Sequence, residues 1–234
     1  MNAPDRLAEN LRRVRARIAA ACARRGRDPN QIDLIVVTKG VSAELVSLLP
    51  SLDVRIVGEN RVQEAAAKIP EINGLRWHMV GSLQTNKAKK ASTLFEAIHS
   101  LDRIELAEAL LAPIQAFIEV NVAGEATKRG LSPETAPGFV ETVRRRFPHI
   151  SLLGLMTMAP WSEDAERSRP IFRTLSALAR RCGLSSTSMG MSQDFEVAIE
   201  EGATHIRVGS AIFEGTTQNG GTARTRRPPS GDVQ

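Results

Sequence analysis

Eight short apolar runs, each followed by a stretch of helical character, constrain this chain more than any other feature. The runs are 33–38 (DLIVVT), 54–57 (VRIV), 76–80 (RWHMV), 95–99 (FEAIH), 116–121 (AFIEVN), 150–156 (ISLLGLM), 185–189 and 204–208 (THIRV). Start signals mark helices between them. Ser42 precedes a short helix, Asn60 opens 61–69, and Thr85 opens 86–93. Asp102 with Glu105 reads as a capping box, and Ser132-Pro133 as a cap followed by proline at the first helical position. Ser162 opens 163–181 and Ser192 opens 193–201. Buried strands alternating with helices predict a parallel sheet with helical crossovers. A count of eight predicts a closed (β/α)8 barrel of the TIM type, and 234 residues suit the lower part of its range. A doubly wound open sheet is the alternative. It normally has fewer strands, and no G-x-G-x-x-G follows the first strand here.

The two ends differ from this body. In residues 3–25, Leu7, Leu11, Val14, Ile18 and Cys22 recur at helical spacing, which predicts an extra N-terminal amphipathic helix. Its stripe is narrow and lacks aromatics, so it reads as a helix packed on the barrel rather than a membrane surface. The expected division is a basic helix at 1–27, a barrel at 28–215 and a disordered tail at 216–234. The overall charge of +5 follows the same division. Residues 1–27 carry eight arginines against Asp5 and Glu9, and 216–234 is also basic, leaving the body slightly acidic. A broad nucleic-acid face on the body is therefore not expected.

Composition removes further classes. There is no tyrosine, so no tyrosine phenol can act as acid, base or nucleophile, and aromatics at 4% are too few for a base-stacking module. Cys22 and Cys182 form no cluster with histidine, so no metal site is expected and both read as buried free thiols. No apolar run approaches a membrane span, and the Arg-rich start lacks a signal-peptide core, which predicts a cytoplasmic protein.

Barrels of this kind carry chemistry at the C-terminal ends of their strands. Lys39 follows the first apolar run. Pointing inward, it would be a partly desolvated amine, nucleophilic toward carbonyls; pointing outward, an ordinary solvated lysine. After the seventh and eighth runs stand Gly190, Ser192, Gly209 and Ser210. Glycine lets backbone approach an anion and serine adds a hydroxyl, where phosphate sites recur in these barrels; helix capping is the simpler account. An amine facing a phosphate site admits a Schiff-base sugar-phosphate aldolase or a covalently held pyridoxal phosphate. Arg207, two residues before Gly209 on the same face of the strand, is suited to a pyridine nitrogen or to a structural salt bridge.

The residues at this point resemble a known family. SMGMSQDFEVAIEEGATHIRVGSAIFEG (188–215) is similar to the signature of the pyridoxal phosphate homeostasis proteins, single-domain relatives of the alanine racemase barrel. IVVTKG (35–40), VGENRVQEAAAKI (57–69), WHMVGSLQTNKAKKA (77–91), IHSLDRIELAEAL (98–110), IEVNVAGEATKRGL (118–131) and GLMTMAP (154–160) extend the resemblance along most of the chain. It implies pyridoxal phosphate held by Lys39 as an aldimine, phosphate contacts from Ser192, Gly209 and Ser210, Arg207 near the ring nitrogen, and Asn60 lining the ring pocket. Lys87 and Lys128 match family lysines near the mouth, in an accessory role. The chain departs from the family pattern in Gly40 after the lysine, in Ser210 for the usual threonine, and in a short 103–115 segment.

The resemblance also bears on activity. The related racemases take their second base from a tyrosine on another domain, and this chain has no tyrosine. An arginine at the ring nitrogen keeps it unprotonated and weakens the ring as an electron sink. The expectation is a monomeric carrier that stores or delivers cofactor to apo-enzymes in vitamin B6 homeostasis, rather than an efficient enzyme. A racemase-like enzyme and a sugar-phosphate aldolase are the alternatives.

Overall fold

The computed structural model describes residues 2–125 and 127–216. Helix α1 (Ala3–Ala23) opens the chain; the Asn2 side chain caps it by accepting from the Asp5 N–H at 2.8 Å. Its buried residues include the predicted stripe of Leu7, Leu11, Val14, Ile18 and Cys22, joined by Asn10 and Ala21. The remaining elements in chain order are β1 (Asp33–Val37), α2 (Ala43–Val46), β2 (Ile56–Glu59), α3 (Val62–Lys68), β3 (Arg76–Met79), α4 (Ala88–Leu94), β4 (Ala97–Leu101), α5 (Ile104–Ala109), β5 (Ile114–Glu119), α6 (Ala136–Arg146), β6 (Ile150–Met156), α7 (Arg169–Arg181), β7 (Ser186–Ser188), α8 (Phe195–Glu200), β8 (His205–Val208) and α9 (Ser210–Phe213). The eight strands form a closed parallel barrel in sequence order, as the alternation predicts. Closure comes from β1 pairing with β8, with Asp33 opposite His205 and Val36 opposite Val208.

Several element starts differ from the sequence reading, for local reasons. Strand β2 begins at Ile56 rather than 54, and β4 at Ala97 rather than 95, because Phe95 still closes α4 by donating its N–H to Ala91. Asp102 does not cap α5; it pairs with Arg103 at 2.6 Å, and Arg103 flanks the helix start. Ser132 accepts from the Thr135 N–H in a preceding turn, and α6 starts only at Ala136. Ser162 likewise closes a turn by accepting from Asp164, and α7 waits until Arg169. Asn60 and Ser192 lie before α3 and α8 without capping them. Thr85 begins a 3-10 turn, and α4 follows at Ala88.

Helix α1 lies on α8 and α9, at the seam where the barrel closes. The buried Asn10 amide donates to the carbonyls of Ile212 (2.8 Å) and Glu214 (2.9 Å), tying the start of the chain to the end of the barrel. Several arginines of this helix and of the segment after it engage the protein itself. Arg17 pairs with Glu196 and Arg24 with Glu200, while Arg27 donates to the Ile199 carbonyl and Arg15 to those of Leu52 and Asp53. Thr216 is buried and its hydroxyl donates to the Phe213 carbonyl, so the packed chain runs through the residue where the tail was expected to begin. The rest of that expected tail, 217–234, lies outside the described residues. Both cysteines are free and buried.

The barrel interior is not uniformly aliphatic. Ile35, Ile56 and Val80 form one small apolar group inside it, with Val37 against them. Polar and aromatic residues share the barrel with them: His78, His99, Phe117, Ser188, His205 and Arg207 are all buried, and Arg207 stands beside Ile35 in the β1–β8 register. His99 stacks on Phe117 with ring centroids 4.5 Å apart, and His205 meets the edge of the same ring at 4.9 Å.

Candidate functional site

A cavity of about 510 Å3 opens at the C-terminal ends of the strands. Lys39, Asn60, Ser192, Arg207, Gly209 and Ser210 all line it. Lys87 does not: it lines an adjoining cavity of about 630 Å3 that shares Asn60 and Ser82 with the first. Lys128 lines neither cavity. It sits in the loop after β5, its N–H donating to the Glu125 carbonyl.

Lys39 lies two residues past the end of β1 and lines the cavity together with Val37, the last residue of that strand. Gly40 then reverses the chain at φ 68°, in the left-handed region, with nothing within 4 Å of the position a Cβ would take. Glycine at this departure from the family pattern thus serves a turn that other residues adopt only with strain.

The adjoining wall is backbone brought close by glycines. Gly209 approaches β1 so nearly that a Cβ would lie 3.0 Å from the Val37 carbonyl. Gly190, at φ 92°, packs under α8, where a Cβ would fall 2.6 Å from that of Ala198. The Ser192 hydroxyl accepts from the Ala211 N–H at 3.4 Å, joining the loops after β7 and β8. Asp194 secures the first of these loops, accepting from the Met191 N–H at 2.7 Å and the Ser168 hydroxyl at 3.0 Å. Among the described residues, neither the Ser192 nor the Ser210 N–H is engaged by a protein acceptor. The two loops therefore offer free amides and hydroxyls to an anion.

Arg207 supplies the fixed cation. It is buried, and it donates to the Ser188 hydroxyl at 2.6 Å and the Thr157 carbonyl at 3.0 Å. Among the described residues it has no salt bridge. Burial lowers its pKa to about 10, with Glu119 and Asp194 opposing, so it stays charged near neutrality. Behind it runs a hydrogen-bonded chain. The Ser188 hydroxyl meets His99 Nδ1 at 2.8 Å, and His99 Nε2 meets His78 Nδ1 at 3.1 Å. Burial drives His99 well below the ordinary imidazole value and His78 to about 3, so both rings are neutral.

Sequence reasoning did not single out Glu119. It ends β5, is buried, lines the cavity, and leaves Oε2 without a partner. Burial pushes its pKa up to about 7, Asp102 adds to the rise, and Arg207 and Arg129 oppose it. The signal in the sequence is an acid near the C-terminal end of the fifth apolar run, where such barrels carry chemistry; three of the chain's four histidines are buried as well, which dilutes it. One side of the mouth is apolar, with Met156, Met158, Met191 and Trp161 along it, and Met158 and Trp161 are exposed. The arrangement combines an amine, an anion cradle, a fixed cation and a carboxyl that titrates near neutrality around one cavity.

Comparison with known proteins places these features in context. Residues 3–217 match the family model described as alanine racemase, N-terminal domain. A pyridoxal phosphate homeostasis protein from Aquifex aeolicus is 41% identical, over 88% of this chain and 96% of its own length. The protein of the same name from Pseudomonas aeruginosa is 38% identical, over 88% of this chain and 94% of its own. PipY from Synechococcus elongatus PCC7942, solved with PLP bound, superposes with a TM-score of 0.76 at 30% identity, covering 88% of this chain and 99% of that one.

Proposed function

The chain belongs to the pyridoxal phosphate homeostasis proteins within the alanine racemase N-terminal domain family, and on that premise we propose that it binds pyridoxal phosphate through Lys39 and holds it for vitamin B6 storage and delivery. The observation that carries this reading is the meeting of Lys39, the glycine-lined amide loops and Arg207 on one cavity. The cradle fits the cofactor's phosphate, because the Ser192 and Ser210 N–H groups on it have no protein acceptor among the described residues, and Gly209 lets the second loop pack closely against β1. When bound, the cofactor supplies an aldehyde that an amine can capture and a pyridine ring that withdraws electrons.

The residues divide that work. Lys39 Nζ is the covalent attachment point. Ser192, Gly209 and Ser210 hold the phosphate with amides and hydroxyls. Asn60 lines the ring pocket, and Arg207 directs a donor at the ring nitrogen. An always-charged donor there leaves the nitrogen without a proton, which weakens the ring as an electron sink. Lys87, across Asn60 in the neighbouring cavity, and Lys128 are accessory groups for cofactor passing the mouth.

A role as carrier rather than enzyme is supported by the relatives, which are named for homeostasis and not for a reaction. The composition supports it too, because none of these 234 residues is a tyrosine and the barrel itself carries no phenol to act as the second base of a racemase. We place the protein in the cytoplasm as a monomer that passes cofactor to apo-enzymes. Among the described residues no helix is long and apolar enough to cross a membrane.

Titrating the protein with pyridoxal phosphate, followed by borohydride reduction and peptide mass mapping, tests the reading. The expected result is a visible absorption band, label fixed on Lys39, and loss of the band in a folded Lys39→Ala variant. A colourless protein that instead traps a sugar phosphate would support the aldolase alternative. Racemisation of alanine well above that given by free cofactor would overturn the carrier role.

A further inference from the structure

We infer that α3 brackets Lys39, with Lys68 and Glu64 holding the two peptide groups that flank it and Glu59 anchoring Lys68; this rests on the reading of Lys39 as the attachment point. The sheet itself does not hold Lys39. The β1–β2 register ends with Val37 opposite Gly58, and the last bond beyond it runs from the Thr38 N–H to the Gly58 carbonyl at 2.9 Å. Lys39 stands past that point, between the end of the ladder and the left-handed turn at Gly40.

Two side chains on one face of α3 take over there. Lys68 Nζ donates to the Thr38 carbonyl at 2.8 Å, which is the acceptor of the peptide entering Lys39. Glu64 Oε2 accepts from the Gly40 N–H at 3.3 Å, which is the donor of the peptide leaving it. These residues are four apart, so they stack one turn above the other on the helix. Lys68 is in turn fixed by Glu59, whose Oε1 accepts from Lys68 Nζ at 2.6 Å and from the Thr38 hydroxyl at 2.7 Å. Both members of this ion pair are buried, and Glu59 Oε2 has no partner.

A buried ion pair with an unsatisfied oxygen is a poor way to gain stability, since apolar residues of similar size often do as well or better. What the pair does is hold one carbonyl from outside the turn, while the Val41 N–H reaches the same oxygen from within it at 3.1 Å. The carbonyl it holds belongs to the peptide that aims the Lys39 side chain. Lys68, Glu59 and Glu64 are therefore positioning residues; none of them lies against the reacting amine in the way Asn60 or Ser210 lies against the cavity.

The test uses the full chain in four forms besides the parent: Glu59→Gln with Lys68→Met, which removes both charges and leaves similar volume; Glu64→Gln; Thr38→Val, which removes the hydroxyl held by Glu59; and Lys39→Ala as control. Each is titrated with pyridoxal phosphate across pH, with the visible band, borohydride trapping and thermal unfolding as readouts. The paired variant is expected to unfold cooperatively, yet to bind on the order of tenfold more weakly or worse, as displaced reacting groups do. Its band should titrate at a different pH, and a larger share of trapped label should fall on other lysines. Glu64→Gln should move the same pH profile by less. A folded paired variant with the parent's affinity, pH profile and label distribution would overturn the bracket. If the paired variant does not fold, an unmoved profile in both Glu64→Gln and Thr38→Val overturns it equally. Lys39→Ala separates the two failures: a surviving band there sinks the attachment reading itself, whereas a lost band with parent-like bracket variants sinks only the bracket.

Discussion

The two walls of the cavity are built by opposite means. On the β1 side, Lys39 is aimed by side chains arriving from α3, charged and hydrogen-bonded to specific peptide groups. On the β7–β8 side, the site is backbone; glycine at 190 packs where no side chain would fit, and glycine at 209 where one would be crowded against Val37. The difference follows from what each wall must present. A flexible amine has four rotatable bonds to be directed, so its anchor has to be fixed from outside. Amide N–H groups are already rigid, so they need only room and the absence of competing partners.

Breaking the backbone wall should have the larger effect on stability. In Gly190→Ala the new Cβ meets Ala198 at 2.6 Å and Phe195 Cα at 2.9 Å while the backbone is held at φ 92°. A loss on the order of 3 kcal/mol is expected from strain and overlap together, seen as a lower thermal midpoint with weakened binding of inorganic phosphate. Against this, variants of the α3 bracket should change the pH profile of the Lys39 band more than they change the melting temperature. Equal loss of stability on both sides would erase the contrast.

Between the walls, Glu119 should give an intermediate, pH-dependent effect. Its pKa rises from 4.5 to about 7 on folding, so the folded chain holds more protons than the unfolded chain between those values. Its contribution to stability is therefore present at low pH and is lost as pH rises through that window. Buried His78 acts in the other sense: with its pKa lowered from 6.5 to about 3, its contribution is present above 6.5 and is lost as pH falls. Subtracting the stability profile of Glu119→Gln from that of the parent isolates the carboxyl. The difference should decline from about pH 4.5 to about pH 7 and then flatten. A flat difference across that range would mean Glu119 is ionised in the fold.

The smallest effect is expected far from both walls. Arg24 meets Glu200 at 2.6 Å but is half exposed, so Arg24→Ala should cost no more than about 1 kcal/mol in denaturant unfolding and leave the visible band unchanged.

Much of this was legible beforehand, and unevenly. Strand count, barrel closure and the position of Lys39 and Gly209 at strand ends follow from the order of elements, a local property of the chain, whereas the direction Lys39 takes was open until the fold placed it on the cavity. The caps at Asp102, Ser132 and Ser162 were misleading because each side chain had a nearer turn or partner to satisfy. Lys68 gave no sign of its role, because a lysine on a helix is ordinarily solvated and only the packing of α3 on β1 and β2 buries it.

Residue order alone determined that eight strands would run parallel, that an amine would stand at the end of the first, and that none of these residues would set a phenol beside it. Which side chains share the barrel interior was decided only by closure. Glu119, Ser188, His99 and Arg207 come from four different strands, and no spacing along the chain relates them. Only when β8 pairs with β1 are they taken out of water together. Burial, which depends on every neighbour at once, then sets their charges.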